Sequence, residues 1–322
     1  MPTRTVLICG AANGLGTAFL EAYRKQPNTH IIAIDRAPIP NSNDENVQKF
    51  TVDLTDEPSI AHLAHTLASQ PIDLLIHSAG IRGLVPALET THHGDVAACE
   101  TLEAMDLATL TNTFAVNAAG TFLLFRALLP NLRLAKEPKV IVMSSRMGSL
   151  SNNFAGNRAA GSAYAYRASK AALNALVRSF VVDVPEVVWV LCHPGRVETG
   201  LVKWREEGAI GAEESVGGLV GRIEGWGVED SGGFYDRFGE RPGSQIMVSQ
   251  LRRTAESTTR QDDSSVLALQ RLIGPMDLWY DAVAKQTMIF YLHQSRASQY
   301  ALPKPRYRHS NVTGDRRDPN AA

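Results

Sequence analysis

TVLICGAANGLGTAF, residues 5–19, sets five apolar or β-branched residues directly against a glycine-rich turn and the start of a helical pattern. The opening run lacks the alternation of a half-exposed strand, so it reads as a strand covered on both faces. Gly10, Gly14 and Gly16 come next in a G-x-x-x-G-x-G spacing, with Asn13 and Leu15 between them. The missing side chains let backbone N–H groups and a helix N-terminus approach a pyrophosphate, whose charge the helix dipole favours. A glycine turn also serves plain loop geometry, so its meaning depends on the residues downstream of it.

The same alternation continues. HIIAID (30–35), QKFTVD (48–53), DLLIHSA (73–79), KVIVMSS (139–145), VVWVLCHP (187–194) and the shorter GGFYDR (232–237) are separated by helical patterns. This repetition predicts an α/β fold, a doubly wound parallel sheet of about seven strands with right-handed crossovers. Such sheets bind ligands at the carboxyl ends of their strands. The residues just after each strand are therefore the ones to read for function.

Composition narrows the classes. The chain has 322 residues, 44% hydrophobic and 20% charged, with a net charge of −1, so neither a nucleic acid nor an anionic membrane is an expected partner. Cys9, Cys99 and Cys192 are too scattered for a disulfide framework and read as small buried hydrophobes in a reducing compartment. No secretory segment is expected ahead of TVLIC, and no apolar stretch is read as reaching the roughly 18–20 residues of a membrane span. A cytoplasmic protein is expected. The doubly wound unit is expected to occupy residues 1–242. Residues 243–322 form an extension: polar over 250–265, helical in pattern over 266–294, and polar with a disordered end beyond Pro303. Trp279, Tyr280, Phe290 and Tyr291 in the helical part need a surface to bury against.

Asp35 ends the second strand, 19 residues past Gly16. An acid there accepts hydrogen bonds from adenosine ribose hydroxyls and repels a 2′-phosphate, which favours NAD(H) over NADP(H); Arg36 beside it could pair with that phosphate instead. Asp53 faces an adenine ring or else forms the turn into the helix that Pro58 begins. Ser78, Ala79 and Gly80 end the fourth strand with residues small enough for a cofactor to cross, or form a tight turn.

SAYAYRASKAAL, residues 162–173, offers two tyrosines and one lysine. On a helix Tyr166 and Lys170 are i and i+4, about 40° apart, and share a face; Tyr164 points elsewhere and is read as a packed ring. A phenol ordinarily titrates near 10, and a cation at about 4 Å is worth roughly 1–4 kcal/mol, or about one to three pKa units. That favours tyrosinate near neutrality. Ser144 and Ser145, ending the fifth strand, could hold a substrate oxygen or simply form a turn.

G10-x3-G14-x-G16, Asp35, Asp53, S78-A79-G80, Asn117, S144-S145-x-x-G148, Y166-x3-K170 and H193-P194-G195 stand in one order that resembles the short-chain dehydrogenase/reductase family over residues 4–242. The motifs look most like its carbonyl reductase branch related to C-factor and sniffer. The resemblance implies a Rossmann-type domain and hydride transfer between a nicotinamide and an alcohol or carbonyl carbon of a small molecule. It implies Tyr166 as general acid/base, Lys170 on the nicotinamide ribose, and Ser145, or Ser144 if the register slips, on the reacting oxygen. Asn117 would hold a water leading from Lys170 to solvent. Pro194, Gly195, Val197 and Thr199 would border the nicotinamide, and Leu54 would join Asp53 in lining the cofactor site. Pairing of the Asn117 and Tyr166 helices implies a homodimer or homotetramer.

Ser78 stands where the family has asparagine, and a small stability effect is expected. The loop between Ser145 and Tyr166 and the stretch 82–103 are enlarged; His92-His93 in the latter reads as solvated loop, and no metal is expected. Trp204, in the loop 197–220, is a lid aromatic or a packed ring. A non-redox use of the same pocket, as a biosynthetic cyclase or scaffold or as a nucleotide-sensing interaction protein, is the alternative function; an intact Asn–Ser–Tyr–Lys set argues against it.

Overall fold

Strand β1 (Arg4–Cys9) lies inside a seven-stranded sheet, third from one edge, as its two apolar faces require. The computed structural model describes residues 4–40, 44–154, 157, 161–204 and 207–241. Strands β2 (Thr29–Asp35), β3 (Val47–Thr51), β4 (Leu74–His77), β5 (Lys139–Met143), β6 (Val188–His193) and β7 (Phe234–Asp236) complete it in the order β3-β2-β1-β4-β5-β6-β7. Every pairing is parallel. The order reverses between β1 and β4, which places a crevice there.

Successive strand residues feed opposite faces. Leu7, Cys9, Ile32 and Ile34 point to one core with α2 (Glu57–Thr66), α5 (Thr121–Leu132) and α6 (Tyr164–Asp183). Val6, Ile8, Ile31 and Ala33 point to the other, under α1 (Gly14–Arg24) and α7 (Ala212–Gly225). The short α3 (Pro86–Thr91) belongs to the enlarged stretch after β4.

The register aligns the strand ends. Cys9 stands opposite both Ile34 and His77, and Met143 opposite Cys192. Gly10, Asp35, Ser78, Ser144 and Pro194 consequently leave the sheet along one edge. β4 and β5 stop two residues short of the predicted ends, at His77 and Met143, so the Ser-Ala-Gly and Ser-Ser sequences lie past the ladder.

One expectation is corrected. Residues 107–132 form one continuous helical run of 26 residues, α4 (Leu107–Phe114), a π-helical turn (Ala115–Gly120) and α5, long and apolar enough to cross a membrane by length and composition. Leu124, Phe125, Leu128 and Leu132 spend that apolarity on the sheet, which is what a core helix requires. The extension expected at 243–322 lies outside the described residues.

Candidate active site

The glycine turn is built for close approach. Gly10 has φ +87, and a Cβ on it would lie 2.6 Å from the backbone nitrogen of Ala79. A Cβ on Gly16 would lie 1.8 Å from the Gly10 carbonyl oxygen, so α1 sits directly on the turn. Asn13 occupies the N-cap of α1 without a side-chain capping bond, and the first turn holds no acid. The leading amides thus keep their donor character, which suits an anionic group such as a pyrophosphate. Leu15 packs on the core beneath.

Asp35 overlooks this turn. Its Oδ2 accepts from Ala12 N at 3.0 Å and its Oδ1 from Ala37 N at 2.9 Å, which fixes the carboxylate's direction. Arg36 is exposed. Asp53 Oδ1 accepts from Thr55 N at 2.8 Å and Thr55 Oγ1 at 2.7 Å, and these bonds hold its carboxyl below the usual range. That is the geometry of the turn into α2, whose N-cap is Asp56. Leu54 is buried where Gly120 approaches: a Cβ on Gly120 would lie 2.3 Å from the Leu54 carbonyl oxygen. Ser78 donates its hydroxyl to Cys9 O at 2.8 Å, tying β4 to β1.

Lys170 and Tyr166 are brought together on one face of α6. Lys170 is 4% exposed, its Nζ donates to Met143 O at 2.9 Å, and it lies 5.7 Å from the Tyr166 ring centroid. Burial pushes the ammonium down to about 8. A Cβ on Gly80 would come within 3.1 Å of Asn117 Oδ1 and 3.6 Å of Lys170 Nζ, so a side chain there would crowd the Asn117 amide. The Asn117 amide clamps the chain after β4: Oδ1 accepts from Ile81 N at 2.8 Å, and Nδ2 donates to Ile81 O at 2.8 Å and Ser169 Oγ at 3.0 Å. It sits in the π-helical turn, a distortion frequent at functional sites.

The serines separate. Ser144 Oγ donates to Asn174 Oδ1 on α6. Ser145 Oγ accepts from Met147 N at 3.2 Å, a bond that does not use its proton. A Cβ on Gly148 would meet the Lys170 carbonyl carbon at 2.8 Å, so this glycine seats the turn after β5 on α6. From β6, Pro194 O accepts from Ser215 Oγ at 2.7 Å, Gly195 has φ +99, and Val197 bridges to Ile210. Thr199 closes back on the glycine turn, its Cβ 2.9 Å from where a Cβ on Gly14 would lie.

The family model for short chain dehydrogenase matches residues 4–209. This chain belongs to the short-chain dehydrogenase/reductase family. C-signal of Myxococcus xanthus is 41% identical over 175 residues, 54% of this chain and 93% of that protein. Short chain dehydrogenase gsfK of Penicillium aethiopicum is 30% identical over 215 residues, 62% of this chain and 78% of that protein. Among solved structures, NADPH-bound carbonyl reductase from chicken fatty liver aligns with a TM-score of 0.63 at 27% identity, over 75% of this chain and 99% of that one. A carbonyl reductase from Pseudomonas aeruginosa PAO1 gives 0.57 at 28% identity, over 74% and 99%. The protein is a dehydrogenase/reductase of the NAD(P)-dependent type, acting on CH–OH or C=O groups.

Tyr164 differs from expectation: it is 41% exposed, because as the first residue of α6 it projects beyond the core. Trp204 is half-buried, and its indole nitrogen is buried with no partner among the described residues. His193 has both ring nitrogens buried without a partner among the described residues, and burial, helped by Arg146, pushes it down to about 4. His92 bonds locally, its Nδ1 3.0 Å from Thr91 Oγ1.

Sequence reading missed Arg82 and Glu100 in this dehydrogenase/reductase. Arg82 lies over the Tyr166 ring and forms a buried pair with Glu100. Both belong to an enlarged stretch without periodicity, in which Arg82 is the one Lys or Arg and Glu100 one of four acids, so nothing in the sequence singled out this pair.

Proposed function

We propose that this dehydrogenase/reductase interconverts a small secondary alcohol and its ketone, or a small alcohol and its aldehyde, with Tyr166 as general acid/base. The observation carrying the reading is the buried Lys170 ammonium beside the Tyr166 ring. A cation there favours loss of the phenolic proton, which is what a phenol needs to work near neutrality. In reduction Tyr166 gives its proton to the carbonyl oxygen; in oxidation it takes the hydroxyl proton. Ser145 donates a hydrogen bond to the same oxygen and supports the charge that develops on it. The Asn117 side-chain amide is committed to Ile81 and Ser169, and its backbone carbonyl accepts from Thr121 Oγ1 at 3.2 Å, so a water leading from Lys170 would share that carbonyl.

The cofactor supplies or accepts the hydride when bound. Gly10, Asn13, Gly14, Leu15 and Gly16 would hold its pyrophosphate, Asp35 and Arg36 its adenosine ribose, and Asp53 and Leu54 its adenine. Ser78, Ala79 and Gly80 would flank its path to the nicotinamide ribose on Tyr166 and Lys170, with Pro194, Gly195, Val197 and Thr199 along the ring. The carboxylate of Asp35, oriented by two backbone amides, supports NAD(H) over NADP(H).

We assign a cytoplasmic setting, supported by three buried free cysteines. A homodimer or homotetramer is supported by exposed Leu107, Phe114 and Val182, and native mass spectrometry reads it directly.

The test is consumption of NADH or NADPH with a panel of ketones and aldehydes, read by nicotinamide absorbance. Tyr166→Phe should abolish turnover yet keep cofactor binding, whereas Tyr164→Phe should keep most activity. Equal loss in both variants, or cofactor binding without consumption in the native chain, overturns the assignment.

A further inference from the structure

Among the described residues, two cations lie beside the Tyr166 ring, and the helical spacing accounts for one of them. Arg82, two residues past Gly80, lays its guanidinium over the ring with Cζ 5.0 Å from the centroid. It is held firmly. Its Nε and Nη2 donate to the two carboxylate oxygens of Glu100, each at 2.8 Å, and its Nη1 approaches Met147 Sδ at 3.5 Å. Such a fork fixes the guanidinium plane, and the two side chains are only 14% and 8% exposed.

Glu100 also holds the helix that carries the phenol. Its carbonyl accepts from Ala163 N at 3.0 Å and from Ser162 Oγ at 2.8 Å. Ser162 and Ala163 have φ of 61 and 55, a left-handed pair just ahead of α6. Residues with side chains persist in that conformation where surrounding contacts over-determine it, often beside active sites. One residue thus fixes both Arg82 and the entry to the Tyr166 helix.

We propose that the Arg82–Glu100 pair is a positioning device for Tyr166, in which Arg82 is a second cationic partner that favours the deprotonated phenol and Glu100 moderates it. This rests on the reading of Tyr166 as acid/base. A guanidinium is attracted to the electron-rich face of an aromatic ring, and the ring of a phenolate is richer than that of a phenol, so the contact supports the anion. Glu100 meets Arg82 along the edge of the guanidinium, so it fixes the plane and offsets part of the charge. Among the described residues, the charged groups at the ring are Lys170 on the same helix, Arg82 from the chain after β4, and Glu100 behind it. Arg167, which feels the charges of both Arg82 and Glu100, lies beside them, and Arg146, beside His193, follows β5. The two members of the pair therefore act on the phenol with opposite signs, which a purely structural role would not do.

The experiment is a titration of tyrosinate absorbance in the full chain, each protein compared with its own Tyr166→Phe counterpart so that one phenol is isolated. Arg82→Met should raise the midpoint by about half to one unit, and Glu100→Gln should lower it by several tenths of a unit. Arg82→Lys should recover part of the loss. Thermal melts report whether each variant folds; if Arg82→Met does not, Glu100→Gln decides alone. A downward shift supports the proposal, and no shift or an upward one overturns it. Turnover is read separately: activity retained in Tyr166→Phe overturns the acid/base reading, while an inactive Tyr166→Phe with unmoved midpoints overturns the Arg82–Glu100 device only.

Discussion

The ammonium of Lys170 donates to the carbonyl of Met143 at 2.9 Å, fastening the helix that carries Tyr166 to the last residue of β5. Burial lowers this ammonium from its ordinary value of 10.5 to about 8. Between those values the unfolded chain binds more protons than the folded one, so this site adds stability as pH rises through that window; below about 8 its burial penalty is fully present. The span corresponds to about 3 kcal/mol. For Lys170→Met, the native-minus-variant difference in unfolding free energy should climb by about that amount from pH 8 to 10.5, while kcat drops roughly a hundredfold. Urea unfolding at the two ends of the window checks it, and a flat difference contradicts it.

Gly16 and Gly221 are both helical glycines in opposite situations. A Cβ on Gly16 meets the Gly10 carbonyl oxygen at 1.8 Å, and a backbone atom has little freedom to move. Gly16→Ala should cost about 1–3 kcal/mol and weaken nucleotide binding together with stability. Gly221, inside α7, has nothing within 4 Å of its Cβ position, so Gly221→Ala should gain about 0.5–1 kcal/mol. Thermal unfolding and nucleotide titration of both variants decide the matter; an unchanged melting temperature for Gly16→Ala would contradict the seat of α1 on the turn.

The contrast between these glycines marks how far the sequence could be read. Unbroken apolar runs such as VLIC announced a sheet covered on both sides, because no half-exposed strand has that composition. Tyr166 and Lys170 were legible because helical spacing is a local rule. The π-helical turn at Ala115–Gly120 was not: the pattern runs on through it, and the close approach of Gly120 to Leu54 is a tertiary event. Tyr164 looked like a packed ring because sequence does not say how far a helix start projects from the core. Arg82 and Glu100 are 18 positions apart in a stretch with no periodicity, so nothing local joined them.

Asp35 gives the cofactor preference a direct test. Its carboxylate is already oriented by Ala12 N and Ala37 N, and on the proposed reading its charge would face the adenosine ribose. Asp35→Asn keeps the shape and removes the charge that repels a 2′-phosphate. The ratio of NADP(H) to NAD(H) dissociation constants should exceed one in the native chain and fall about tenfold in the variant. Fluorescence titration of both reduced nucleotides measures it. Equal ratios in the two proteins would remove Asp35 from the preference.

Acid should unfold this protein through buried imidazoles. His77, at the end of β4, is fully enclosed: its Nε2 meets Thr121 Oγ1 and its ring packs edge-on to Phe125 at 5.4 Å. Burial, with help from the Lys170 charge, pushes it from 6.5 down to about 3, and His193 is pushed to about 4. Below 6.5 the unfolded chain takes up protons that the folded chain refuses, so stability falls as pH drops through each window. His77→Gln can keep a partner for Thr121 without titrating. Between pH 6.5 and 4.5 the native chain should lose about 3 kcal/mol more than this variant, at about 1.4 kcal/mol per pKa unit. Urea unfolding across that range measures the gap; parallel acid losses in the two proteins would mean that His77 takes up its proton without the chain unfolding.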